Sequence, residues 1–335
     1  MRFADIVGHE NVKAILQRFY AEQKIPHALL FHGEEGVGKK TMALAFFSLI
    51  NCLNPTNDMD SCGECHPCKQ ISALSFPDLY VVQKPEDKTV IGIDVCRDVL
   101  SRTFFKPVSA RYRCILLDNA HFLSPEAGNA MLKVLEEPPR NNIFVLVTDC
   151  PDSMLPTIVS RCCAFPFGAL SQAQVLAVLK RVMPEEEEQK LVDVSVISKG
   201  SVSRALTMLK SGIDRRLFIQ GLVEAVMGDD AKRLAFSRYL VQSKDNAVCL
   251  TDFLKVVLQD ILFCVTGNEM KVSNKDLLDE MRPLARTISL SGVLESLQTL
   301  HQYDKNRSYS PNLQVTIDCA LTALAQKNPQ VVHVF

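Results

Sequence analysis

The chain has 335 residues, 47% of them hydrophobic and 22% charged, which excludes a disordered protein and asks for two or three globular domains. A formal net charge of −1 excludes a protein that grips nucleic acid alone, because that task needs a basic excess to displace counterions. No apolar run approaches the roughly 18–20 residues of a membrane span, and the first residues lack an apolar stretch with a cleavage site, so neither a membrane segment nor a signal peptide is expected.

Taken in chain order, short apolar runs alternate with helical stretches as far as residue 165. The runs are Ala28–His32, Leu79–Val82, Cys114–Leu117 and Ile143–Val147, and they predict the buried parallel strands of an α/β sheet. A fifth, Ala164–Phe167, contains Pro166 and suits a sheet edge, where a missing N–H is tolerated. Between them, 129–137 reads as a helix with Met131, Leu132 and Leu135 on its buried side, stopped by Pro138 and Pro139. From about residue 171 strand signals vanish. Val175, Leu176, Val178 and Leu179 open a helical pattern, and Glu185–Glu188 after Pro184 reads as a solvated helix start. Beyond Ile213 the period is helical throughout: Phe253, Leu254, Val257, Leu258, Ile261, Leu262 and Val265 share one face. Leu294, Leu297 and Leu300 behave likewise, as do Val315, Ile317, Ala320, Leu321 and Leu324. The expected layout is an α/β domain over 1–168, a small helical domain over 169–212 and an all-helical domain over 213–335.

The first strand leads into Gly33-Glu34-Glu35-Gly36-Val37-Gly38-Lys39-Lys40-Thr41 and then a helix, Met42–Ile50. Strand, glycine loop and helix in that order make a phosphate loop, in which backbone N–H groups and Lys39 would face nucleotide phosphates. A tight turn without ligand is the bland alternative. The pattern asks for Ser or Thr directly after its lysine to hold Mg²⁺, and Lys40 stands there. Thr41 comes one residue late, about 100° around the helix. The strand Cys114–Leu117 ends in Asp118, which could hold Mg²⁺, but Asn119 follows where a water-polarising Glu is usual, and an amide is a poor general base. ATP or ADP binding is therefore expected without efficient hydrolysis, and a magnesium site is not.

Four of the twelve cysteines, Cys52, Cys62, Cys65 and Cys68, cluster as C-x9-C-x2-C-x2-C after the phosphate-loop helix. Four thiolates at that spacing close a structural Zn²⁺ site, among loop formers such as Asn54, Pro55 and Gly63. An iron–sulfur centre is the lesser alternative, and His66 is surplus. The other eight, including Cys96, Cys114, Cys249 and Cys319, are expected as reduced thiols, mostly buried.

With these motifs in view, the order of 25–33, the phosphate loop, 129–139 and Leu155–Cys162 resembles the subunits of bacterial sliding-clamp loaders, a family of the AAA+ class. The likeness covers residues 3 to about 210. It implies a parallel-sheet P-loop domain with an inserted zinc module at 52–68, a helical lid and a helical oligomerisation collar. By that resemblance Arg161, in Ser160-Arg161-Cys162, serves as an arginine finger in a neighbour's ATP site, with an ordinary surface arginine or an intradomain salt bridge as the alternative. Thr148 matches a polar γ-phosphate sensor, with strand-end capping as the alternative. Arg204 stands one place late for a second sensor, and His27 either lies near adenine or packs. The implied partners are the tau/gamma and delta subunits in a hetero-pentamer, a sliding clamp, and primed DNA reached through the assembly, all in the cytoplasm. The family's ATP-hydrolysing motor and an unrelated P-loop switch or kinase are the competing readings.

Overall fold

In the computed structural model, which describes residues 1–85, 88–242, 244–305 and 312–326, all five runs are strands of one parallel sheet. They are β1 (Ala28–Gly33), β2 (Leu79–Val82), β3 (Arg113–Leu117), β4 (Asn142–Thr148) and β5 (Cys163–Phe167), in the order β2-β3-β4-β1-β5. Parallel strands are covered on both faces, which is why they read as continuous apolar runs. The expected edge is real: β5 is the outermost strand beside β1, and Pro166 lies opposite His32.

The helices α1 (Glu10–Ala21), α2 (Lys39–Ile50) and α3 (His66–Ser72) precede β2. Then come α4 (Ile93–Thr103), α5 (Pro125–Glu136) and α6 (Pro156–Val159), which alternate with the remaining strands. One core joins Leu16 of α1 and Met42, Phe46, Phe47 and Leu49 of α2 to Leu29, Phe31, Leu116 and Val145 of the sheet. The other joins α4 and α5, with Met131 and Leu135, to Leu30, Ile115, Phe144 and Leu146. Successive strand residues thus alternate between two apolar layers. Residues 42–50 are buried all round, as expected of a helix with no polar face.

The remaining elements are α7 (Gln172–Val182), α8 (Glu188–Ile197), α9 (Val202–Ser211), α10 (Arg215–Met227), α11 (Asp230–Val241), α12 (Lys244–Val265), α13 (Leu278–Thr287), α14 (Leu290–Lys305) and α15 (Leu313–Leu324). Contacts divide the chain into two compact units. One is Met1–Val178 with Gly200–Ser203; the other is Leu179–Lys199 with the described residues from Arg204 onward. Segment 169–212 is shared between them.

The second unit is built on Phe218, Leu222, Phe253, Leu254, Leu284, Leu300 and Leu321. Asp214, Asp229 and Asn312 accept N–H groups at the starts of α10, α11 and α15, satisfying donors that the helices leave open. Three details differ from expectation. The helix after the acidic run begins only at Glu188, and Glu186 pairs with Lys190 in front of it. Leu294 and Val315 turn outward, because the buried stripe is narrower than the periodic pattern. Cys150, Cys163 and Cys319 are exposed, whereas Cys96, Cys114 and Cys249 are buried; all are free thiols. Among the described residues no helix is long and apolar enough to cross a membrane.

Candidate functional site

The carboxyl ends of β1, β3 and β4 meet where the chain crosses from β1 to α2, the crevice where open α/β sheets take ligands. Two glycines of the connecting loop are dictated by space. A Cβ on Gly33 (φ +143) would come 2.1 Å from the carbonyl of Phe167, and one on Gly36 (φ +77) 2.4 Å from Ser201 Oγ. The Gly36 carbonyl also accepts the N–H of Val202 at 2.9 Å, so the loop apex rests on 200–203. On its other side His9 holds it: Nε2 lies 2.8 Å from the Val37 carbonyl, and the ring packs 4.7 Å from that of Phe167. Gly38, left-handed at φ +101, turns the chain into α2.

Helix α2 begins three residues earlier than its apolar pattern, so Lys39, Lys40 and Thr41 form its first turn. Lys39 is only 6% exposed and donates to the carbonyls of Gly33 (2.5 Å) and Glu34 (2.6 Å). Burial pulls its pKa down, against the nearby charges of Asp149, Glu35 and Asp118, which raise it. Lys40 points to β3: its Nζ lies 2.8 Å from Asp118 Oδ2. Thr41 is exposed.

A magnesium ion of the usual kind would need a hydroxyl at position 40 together with a free Asp118 carboxylate. Here an ammonium occupies the first place and engages the second, so these residues do not fit that ion.

Behind the pair, Asn119 adopts a left-handed conformation at φ 55. Thr148 ends β4 beside His32 and is fully buried; its Oγ1 accepts the N–H of Cys150 and lies 3.1 Å from His121 Nδ1. Burial lowers the His121 pKa, favouring the neutral ring, although Asp149 is 3.1 Å away on the same nitrogen. Thr148 therefore caps the strand end and faces His121.

Arg161 follows α6. Its guanidinium donates to the Thr157 carbonyl at 2.8 Å and is paired with the Glu136 carboxylate at the end of α5. These hydrogen bonds go to α5 and α6, not to the Lys39 loop. His27 packs with Nε2 2.9 Å from the Leu135 carbonyl. Arg204 hydrogen-bonds the Ser198 carbonyl at 3.2 Å and lies 3.8 Å from Asp252.

A second centre sits at the other end of α2. The sulfurs of Cys52, just past the helix, Cys62, Cys65 and Cys68, inside α3, all lie within 4.8 Å of one another. Cys52 and Cys65 are 3.9 Å apart, against the ~3.8 Å edge of a tetrahedron with Zn–S bonds of about 2.3 Å. That spacing suits one ion and is too tight for a multi-iron core. Backbone N–H groups of Cys65 (3.3 Å) and Glu64 (3.4 Å) point at Cys62 Sγ and hold that thiol down to about 6, favouring thiolate. Burial instead pushes Cys52 and Cys68 up, a cost that a bound cation would offset. His66 begins α3 and is not in the cluster.

The module is tied down by Asp60, 6% exposed, whose carboxylate accepts the N–H groups of Phe3 (3.0 Å), Ala4 (2.9 Å) and Ser61 (2.7 Å). Neither Asp60 nor His9 stood out in the sequence. Each acts on residues far along the chain, and no local spacing announces that.

Strand, glycine loop and helix in this order at the crevice of a parallel sheet are the arrangement of a P-loop protein. The family described as "DNA polymerase III, delta subunit" matches residues 8–171. DNA polymerase III subunit tau of Bacillus subtilis is 28% identical over 98% of this chain and 62% of its own length. Subunit gamma/tau of Mycobacterium tuberculosis is 36% identical over 58% of this chain and 33% of its own. A gamma subunit-related protein of Thermotoga maritima, known from its crystal structure, is similar with a TM-score of 0.49 and 17% identity, covering 92% of this chain and 98% of its own. By the family model and these relatives, the chain is similar to clamp-loader subunits of DNA polymerase III. It spans about a third to three fifths of the length of the curated relatives named here.

Proposed function

We propose that this chain is a delta-prime-type subunit of a bacterial DNA polymerase III clamp loader, one that does not hydrolyse ATP itself. The observation that carries this reading is the Lys40–Asp118 ion pair at 2.8 Å, which puts a protein cation where a motor subunit holds its catalytic metal. Asn119, left-handed and unable to act as a base, supports it from the other side.

In this reading the chain sits in a hetero-pentamer with tau/gamma and delta subunits in the cytoplasm and helps place a sliding clamp on primed DNA. Residues 169–212 act as its lid, 213–335 as its collar, and Cys52, Cys62, Cys65 and Cys68 hold a structural Zn²⁺. Arg161 is the arginine finger for a neighbour's ATP. Its side chain is a third exposed and, among the described residues, is held by Glu136 and the Thr157 carbonyl, so it can exchange a carboxylate for a phosphate.

A second reading, the tau/gamma motor, is favoured by the names of the matched relatives. Steady-state ATP hydrolysis by the isolated chain separates them: multiple turnovers at a motor's rate support the motor, and their absence supports delta-prime. In the reconstituted loader, Arg161→Ala is expected to lower ATP turnover by about 10³-fold at the dependent site while the variant stays folded. Unchanged turnover removes the finger.

A further inference from the structure

Resting on the non-hydrolysing reading, we infer that the Lys39 loop takes the triphosphate of ATP without a metal ion, with Lys40 as the resident counter-ion. The motif's magnesium position is filled by a group of the same sign. An ammonium carries three N–H donors; one of those on Lys40 is given to Asp118 Oδ2, which leaves donors for phosphate oxygens. The side chain is 38% exposed, so its ammonium is open to a ligand arriving from solvent.

The groups facing this corner are Lys39 and Lys40 on α2, Glu35 on the loop, Asp118 after β3 and Asp149 after β4. Adding a divalent ion beside Lys40 would set two cations against each other over one carboxylate. Together with Lys39, Lys40 gives a metal-free triphosphate two ammonium groups to meet at this corner. Lys39 is no obstacle. Its present partners, the Gly33 and Glu34 carbonyls, are neutral, and an ionised phosphate makes roughly twice as strong a hydrogen bond. The α2 N-terminus and the glycine loop provide the remaining N–H donors.

The test is titration calorimetry of ATP into the full chain, once in EDTA and once in excess magnesium chloride. Expected is an affinity in EDTA equal to that in magnesium within about threefold, or higher. Lys40→Ser should reverse the order, binding about tenfold more weakly in EDTA than in magnesium, while Lys40→Arg, which keeps the charge, should retain metal-free binding. A circular-dichroism melt of each variant establishes that it is folded. A wild-type chain that binds ATP only with magnesium, or in neither buffer, overturns the inference, as does Lys40→Ser with full affinity in EDTA. Phosphate release is measured in the same samples. Turnover there overturns the proposed function, whereas magnesium-dependent binding without turnover overturns this inference alone.

Discussion

The two ends of helix α2 solve the same electrostatic problem in opposite ways. At its start the chain supplies both signs of charge: Lys40 meets Asp118, and Lys39 is absorbed by two carbonyls of its own loop. At its far end four sulfurs converge within 4.8 Å, and the backbone N–H groups of Cys62, Glu64 and Cys65 donate to them. The first site meets the Asp118 carboxylate with a side-chain cation of its own. The second is a set of anion-forming ligands that becomes favourable when a cation arrives from outside. A donor set therefore says more about an ion than a motif name does. The phosphate loop carries a name associated with a metal yet lacks the donors, and the cysteine knuckle has no other evident use.

The strongest way to break this contrast is to remove a sulfur. Cys65→Ser, or chelation of the wild type, is expected to release a stoichiometric metal ion and destabilise the module by several kcal/mol, on the order of 5. Elemental analysis alongside thermal unfolding checks it, and a native preparation without metal would end the zinc assignment. Asp60→Ala sharpens the comparison by testing the anchor rather than the ligands. It leaves the N–H groups of Phe3, Ala4 and Ser61 without their acceptor and is expected to cost about 3 kcal/mol in urea unfolding, with the metal retained. A loss below about 0.5 kcal/mol would mean that water replaces the carboxylate freely. The smallest effect belongs to Lys40→Ser: its ion pair is partly exposed and should contribute less than about 1 kcal/mol to folding. A much larger drop in the same urea titration would recast Lys40 as a structural strut.

The sheet was legible because its three central strands, β3, β4 and β1, are buried on both faces over most of their length. Four apolar runs and a proline-marked edge gave all five strands to within a residue. The start of α2 was less so, since Lys39, Lys40 and Thr41 are polar and the apolar pattern begins only at Met42. Lys40 was conspicuous as a mismatch in a motif, but its pairing with Asp118, 78 residues later, is a tertiary fact. The same holds for Arg161 with Glu136, which closes across α5 and α6. Asp60 lies in the cysteine insert with no local spacing to single it out; its burial and its N–H partners Phe3 and Ala4 make it a clamp on the N-terminal segment. Leu294 and Val315 fit a helical stripe by spacing and still face water, because period alone does not set how wide a neighbouring helix is.

The rims of the sheet bear on how the protein behaves when concentrated. One outer strand, β2, is four residues long, and the other, β5, carries Pro166 near its end, where no backbone donor exists. A foreign strand seeking to continue the ladder would find a very short template on one side and a missing rung on the other. Both borders thereby resist strand-by-strand polymerisation, leaving side-chain surfaces to govern self-association.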